Sequence, residues 1–208
     1  MRFVVLTIMF LALMQSSPAS AEDAALARTQ GLIDAFKAVK QAPEGGKLSP
    51  RELAENVKAF EKLDGFFAFQ VFTGETARPH RSKFSDQQYP EYQKTFREVI
   101  RIVAYPDSGD FFREARYKLL PAVKKGDRFD VKMEAVLEKE DYETDVTFHW
   151  RQVDGTLQIV DVSFEGASLV KDYSNQFGRI IKKEGVGGLL KRMNDRLEAE
   201  IKKQDFKP

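Results

Sequence analysis

The chain has 208 residues, 33 basic against 32 acidic side chains, no cysteine and 17 phenylalanines. That charge balance excludes a general nucleic-acid binder, which needs a basic excess or stripe, and it excludes tight electrostatic adsorption to anionic membranes. Without cysteine there are no disulfide staples and no thiolate metal site, so packing alone must hold the fold.

The first element is a targeting segment. Arg2 is a minimal positive region, Phe3 to Met14 is apolar, and Ala19-Ser20-Ala21 matches the small-x-small cleavage rule. The apolar run is shorter than the ~20 residues a membrane span requires. The expectation is a signal peptide over 1–21, removed in the mature protein, with a single domain over 22–208. A lipoprotein would need a cysteine after its cleavage site, so the mature chain is expected to be released on the far side of the membrane. Removal of the leader takes away Arg2 and no acidic residue, which leaves the charges balanced.

Ala24 to Lys40 carries Leu26, Ile33, Phe36 and Val39 on one stripe and predicts a helix. Pro43 and Gly45-Gly46 mark a loop. Ser49-Pro50-Arg51-Glu52 then combines a cap, a proline at the first helical position and a capping box. Leu53, Val57, Phe60 and Leu63 are the expected buried face of that second helix. Phe66 to Phe72 is dense enough in apolar residues to read as either a buried helix or a strand. Ser85 opens a third helical pattern, with Gln88 at the capping-box position and Tyr92, Phe96, Val99, Ile100 and Val103 on its apolar face. Pro106-Asp107-Ser108-Gly109 is expected to end it.

From Arg116 onward the period is two. Tyr117 to Val123 reads as a first strand. Phe129, Val131, Met133, Ala135 and Leu137 alternate with polar residues, Val136 being the exception. Val146, Phe148 and Trp150 alternate with Asp145, Thr147, His149 and Arg151. After a turn at Asp154-Gly155, Val160, Val162 and Phe164 are expected to share a face. The pattern predicts a four-stranded antiparallel meander, apolar on one face and charged on the other. Helices must cover the apolar face, which gives an α+β class with helices over 22–114, the sheet over 115–166 and C-terminal helices over 167–205.

Few residues suggest chemistry. His149 falls on the polar face and is expected to be solvated or at an edge; His80 lies in a polar loop with Arg78 and Arg81. No zinc-ligand spacing, nucleophile elbow or dinucleotide fingerprint occurs. Gly185-Val186-Gly187-Gly188 precedes a helix but follows another helix and lacks a lysine-hydroxyl pair, so a helix cap and turn explain it better than a phosphate loop. Asp161 sits mid-strand as an exposed or hydrogen-bonding aspartate, with general-base catalysis as the lesser reading. No catalytic, metal or cofactor site is expected. The remaining constellation is apolar: Met133, Ala135, Val146, Phe148, Trp150, Val162 and Phe164 from three strands, and Tyr173, Phe177 and Ile181 from the following helix. The residues alone do not separate a filled core from a cavity, although such stripes are more often core.

One stretch is more specific. The strand Gln158 to Phe164 ends at Glu165-Gly166 and is followed by Ala167-Ser168-Leu169-Val170. Then come Tyr173, Phe177, Ile180 and Ile181 at helical spacing, the glycine break at 185–188, and Leu189, Leu190, Met193 and Leu197. From Thr144 to Leu197 this order resembles the MlaC-type, or toluene-tolerance auxiliary, family. Asp161, Val162, Glu165, Gly166, Ser168, Leu169, Tyr173, Phe177, Gly185 and Leu189 occupy its motif positions. The resemblance implies a curved sheet and helices enclosing an apolar cavity. It also implies a non-enzymatic periplasmic carrier that moves phospholipid between an outer-membrane lipoprotein complex and an inner-membrane ABC transporter with an MCE-domain component. It makes the ten apolar residues above the expected lipid-binding set. The alternatives are a small-molecule enzyme on a related scaffold, which requires Asp161 or His149 to point inward, and a periplasmic structural adaptor with a filled core.

Overall fold

The computed structural model describes residues 20–43, 46–139 and 141–204. All but the last two residues of the expected leader lie outside that range. The element order is α1 (Ala21–Ala38), α2 (Pro50–Asp64), α3 (Phe69–Ala77), a 3₁₀ segment (Arg78–Lys83), α4 (Gln88–Val99), a π-helical turn (Ile100–Ala104) and α5 (Tyr105–Glu114). Then follow β1 (Arg116–Leu119), β2 (Val123–Lys125), β3 (Arg128–Leu137), β4 (Tyr142–Val153), β5 (Thr156–Phe164), β6 (Ala167–Ser168) and α6 (Leu169–Gln204). The class is α+β, and the antiparallel sheet runs β1-β3-β4-β5-β6 with β2 also on β3.

The sheet has more strands than the four expected. Pro121 has no backbone donor, so it interrupts Tyr117–Val123 and splits it into β1 and β2. Beyond Phe164 the chain turns back at once. Glu165 and Gly166 both have positive φ (49° and 82°), the two-residue hairpin geometry that matches strand twist. That turn sets Ala167 and Ser168 as a short edge strand on β5.

Register decides which side chains meet. Met133 pairs with Val146, Val131 with Phe148, and Phe148 with Val162. A bulge at His149/Trp150 shifts the β4–β5 register, so Trp150 faces Ile159. One extra residue flips the strand's faces. Ile159, and not Val160, therefore joins Val162 in the core, and it is fully buried.

Capping chemistry places the helices. Ser49 and Glu52 form the expected capping box at α2, and Ser85 and Gln88 exchange the equivalent bonds ahead of α4. Val57 of α2 is 39% exposed, off the buried face expected for it; Asn56 and Ala59 take its place there. The Asn56 side chain clamps the Lys40 backbone, accepting from its N–H (2.7 Å) and donating to its carbonyl (2.8 Å). Phe66–Phe72 is divided between both readings: Phe67 bridges to Ile159 in strand fashion, and α3 begins at Phe69.

The segment Pro106–Gly109 does not end a helix. The Tyr105 N–H reaches Ile100 O across the π-helical turn, and α5 continues to Glu114. Pro106 cannot donate, yet it falls in the turn directly after the widened ladder, where the regular pattern is already broken. Gly109 is needed for a different reason. A Cβ there would stand 2.9 Å from Phe36 O and 3.1 Å from Val39 O, so its absence lets α5 lie against the end of α1.

Candidate functional site

Between the apolar sheet face and the helices lies a cavity of about 290 Å³. Its sheet wall is Val146, Phe148, Val162 and Phe164. Phe36 comes from α1, Phe67, Phe69 and Phe72 from the α3 region, and Leu169 and Tyr173 from α6. Ile100 and Ala104 of the π-helical turn join Tyr105, Asp107, Ser108, Phe111 and Phe112 of α5 to complete it. Phe164 is 42% exposed and Asp107 is exposed, so that rim faces solvent.

The aromatic walls hold one another. Phe36 stacks on Phe112 at 5.3 Å and meets Tyr105 edge-on at 5.6 Å; Phe112 in turn stacks on Phe148 at 6.5 Å. Such pairs stabilise beyond their buried area. Tyr105 and Tyr173 bring hydroxyls to these walls, and that of Tyr105 is satisfied from outside the cavity, donating to Asp64 Oδ1 at 3.0 Å. Burial, reinforced by the Asp64 carboxylate, pushes the Tyr105 phenol well above its ordinary pKa, and burial also raises that of Tyr173. Both remain neutral donors at physiological pH.

Five of the ten expected residues line this cavity: Val146, Phe148, Val162, Phe164 and Tyr173. The other five lie elsewhere. Trp150 is fully buried, and its indole N–H donates to Thr29 Oγ1 at 2.9 Å. Met133 is fully buried beside Val146. Ala135 borders a polar surface groove with Lys132, Glu134, Glu143 and Asp145. Phe177 meets Phe96 at 5.0 Å and Tyr92 at 5.9 Å, joining α6 to α4, and Ile181 is buried one turn further along α6. Apart from Tyr173, sequence reasoning missed the helical half of the wall. The signal available was the density of phenylalanine at 66–72 and at 111–112.

The polar side of the sheet differs from expectation. His149 is neither solvated nor at an edge; it is 7% exposed. Its Nδ1 lies 2.6 Å from Asp130 Oδ1 and its Nε2 lies 2.8 Å from Ser163 Oγ. With Nδ1–H donating to the carboxylate, Nε2 accepts from the serine hydroxyl. Burial works to raise the Asp130 pKa, but hydrogen bonds from His149 and Lys125 and the charge of Arg128 outweigh it, and the carboxyl is held below its ordinary range. Serine, histidine and aspartate stand in the order of a nucleophilic triad. However, each is more than nine-tenths buried, on the sheet face away from the cavity, and none lines it. What the string does is tie β3, β4 and β5 together.

Asp161 also faces away from the cavity. Its carboxylate accepts from Val162 N–H (2.8 Å), Val170 N–H (3.1 Å) and Ser168 Oγ–H (2.5 Å), while Ser168 Oγ accepts from Lys171 N–H. The pair caps the start of α6 and fixes it to β5. His80, in the 3₁₀ segment, packs over Gly178 of α6 and donates from Nε2 to Ser174 O at 3.3 Å. Among the described residues no cluster could hold a metal ion, and no helix is long and apolar enough to cross a membrane.

A family model described as MlaC protein matches residues 31–195, which takes in nearly all of the stretch that carries the sequence resemblance and reaches well upstream of it. Among solved structures, the chain is similar to a phospholipid-binding protein from Ralstonia solanacearum determined in complex with a phospholipid. The two share 16% identity with a TM-score of 0.66, over 88% of this chain and 99% of that one. At that identity the likeness is one of fold. No curated protein sequence matches.

Proposed function

The chain belongs to the MlaC family, and on that premise we propose that it is a periplasmic phospholipid carrier without catalytic activity. In this reading the acyl tails lie between the sheet and the helices, and the head group sits at the rim. The carrier takes lipid from one membrane and gives it up at the other, with an outer-membrane lipoprotein complex and an inner-membrane MCE-domain ABC transporter as its two docking partners. The observation that carries the proposal is the cavity wall: of its described side chains only Asp107 is charged, and eight are phenylalanines.

Such a wall suits tails and little else. Each methylene withdrawn from water contributes about 0.8 kcal/mol. Two chains of roughly 16 carbons would therefore exceed the range at which measured affinities saturate, so spontaneous release into water is negligible and handover needs a partner that favours the open pocket. The cavity lies at the lower end of ordinary small-molecule pockets. A diacyl lipid thus requires the helical wall to part from the sheet.

Two measurements test this. Protein purified from a Gram-negative periplasm should yield phospholipid to solvent extraction and mass spectrometry, and lipid-free protein should take it up from vesicles. Ala104→Trp places an indole in the cavity; it should stay folded by circular dichroism and lose about tenfold in uptake, equivalent to ~1.4 kcal/mol. Absence of lipid from the purified protein together with no uptake would sink the carrier reading, as would full uptake by Ala104→Trp.

A further inference from the structure

Among the described residues the cavity is lined by no lysine, arginine or histidine to meet a phosphate, and the one charged side chain among them is negative. Asp107 stands exposed at the rim, in the first turn of α5 beside the half-buried Ser108. Its Oδ1 accepts one neutral hydrogen bond, from Gln41 Nε2 at 3.0 Å. Among the described residues it forms no ion pair. Its neighbour one turn on, Asp110, differs in being neutralised by Arg113.

Resting on the carrier reading, we infer that Asp107 makes the site selective for phospholipids whose head group carries an ammonium, and against net-anionic ones. With the tails inside the apolar walls, the phosphodiester and its substituent must lie where the cavity meets solvent, and that is where Asp107 stands. Phosphatidylethanolamine, phosphatidylcholine and phosphatidylglycerol each bring one phosphodiester charge, so repulsion of the phosphate is common to the three. What differs is the substituent. An ammonium can pair with the carboxylate, whereas a glycerol leaves the two negative charges opposed. For charges a few ångströms apart near water the difference amounts to a few-fold, about five-fold at close contact. Because the rim is solvated, the preference must weaken as salt rises. Ser108 adds a hydroxyl at the same rim that serves any phosphate oxygen, so it adds affinity without discrimination.

The test is a competition. Lipid-free protein is incubated with vesicles holding equal amounts of phosphatidylethanolamine, phosphatidylcholine and phosphatidylglycerol of one acyl composition, re-isolated, extracted and quantified by mass spectrometry. The expected result is enrichment of both zwitterionic lipids over phosphatidylglycerol by a few-fold, falling at high salt. Asp107→Asn should bring the ratio near one, and Asp107→Lys should invert it. Uptake in vesicle proportion by the wild type, or ratios that neither variant changes, overturns the inference and leaves the carrier reading intact. No uptake of any lipid overturns the carrier reading itself, and this inference with it.

Discussion

Asp161 shows how one strand side chain can join two elements while facing away from the cavity. Three donors converge on its carboxylate, two of them backbone N–H groups at the strand end and the helix start. Removing it leaves those donors without their charged acceptor. Asp161→Ala should therefore lower stability by about 2 kcal/mol, which for a domain of this size is roughly 4–8 °C in Tm. Thermal melts followed by circular dichroism check this; an unchanged Tm would mean that water replaces the carboxylate at no cost. The sequence placed Asp161 and His149 on the correct side of the sheet, because alternation depends only on the pleat. It did not reveal that Asp130 and Ser163 close on His149. Those residues are 19 and 14 positions away from it, and their meeting depends on pairing register and on a bulge that no local pattern encodes.

At the level of elements, the join of α1 to α5 carries the geometry of the cavity, since Phe36 of one and Phe112 of the other stack inside it. Gly109 allows that contact. Gly109→Ala would gain helix propensity of up to about 1 kcal/mol, but its methyl would meet two backbone carbonyls that cannot rotate aside. The clash should prevail, with a net loss of roughly 1–2 kcal/mol after the propensity gain. Chemical denaturation reads it directly, and a stabilised variant would show that the helices can separate freely. The same residues explain a helix boundary that sequence reasoning misplaced. Proline followed by glycine ordinarily marks a turn, whereas here Pro106 follows a π-helical turn and Gly109 serves a close helix approach. The break in α6, by contrast, was legible. Gly185 has φ 71° inside an otherwise continuous helix, so a glycine was the informative residue there.

For the molecule as a whole, the question raised by the sequence was whether its aromatic stripe is core or cavity, and the answer divides the stripe in two. Alternation identified the sheet's apolar face, yet a face is shared between the helices packed on it and the space left between them. Val146, Phe148, Val162, Phe164 and Tyr173 border the space, whereas Met133, Trp150, Phe177 and Ile181 are covered by protein. No periodicity distinguishes these groups, because each satisfies the same pattern. Mutation should separate them. Ile181 is 5% exposed behind the aromatic cluster that joins α4 and α6. Ile181→Ala should lower stability by about 2–4 kcal/mol through lost burial and the void left behind. Lipid uptake per folded molecule should nevertheless stay near the wild-type level, because the void opens in the α4–α6 packing and not in the cavity wall. Ala104→Trp should behave in the opposite way, retaining its fold and losing uptake. Measuring denaturation and vesicle uptake on both proteins tests the division, and a loss of uptake in Ile181→Ala with its Tm preserved would place Ile181 in the binding wall after all.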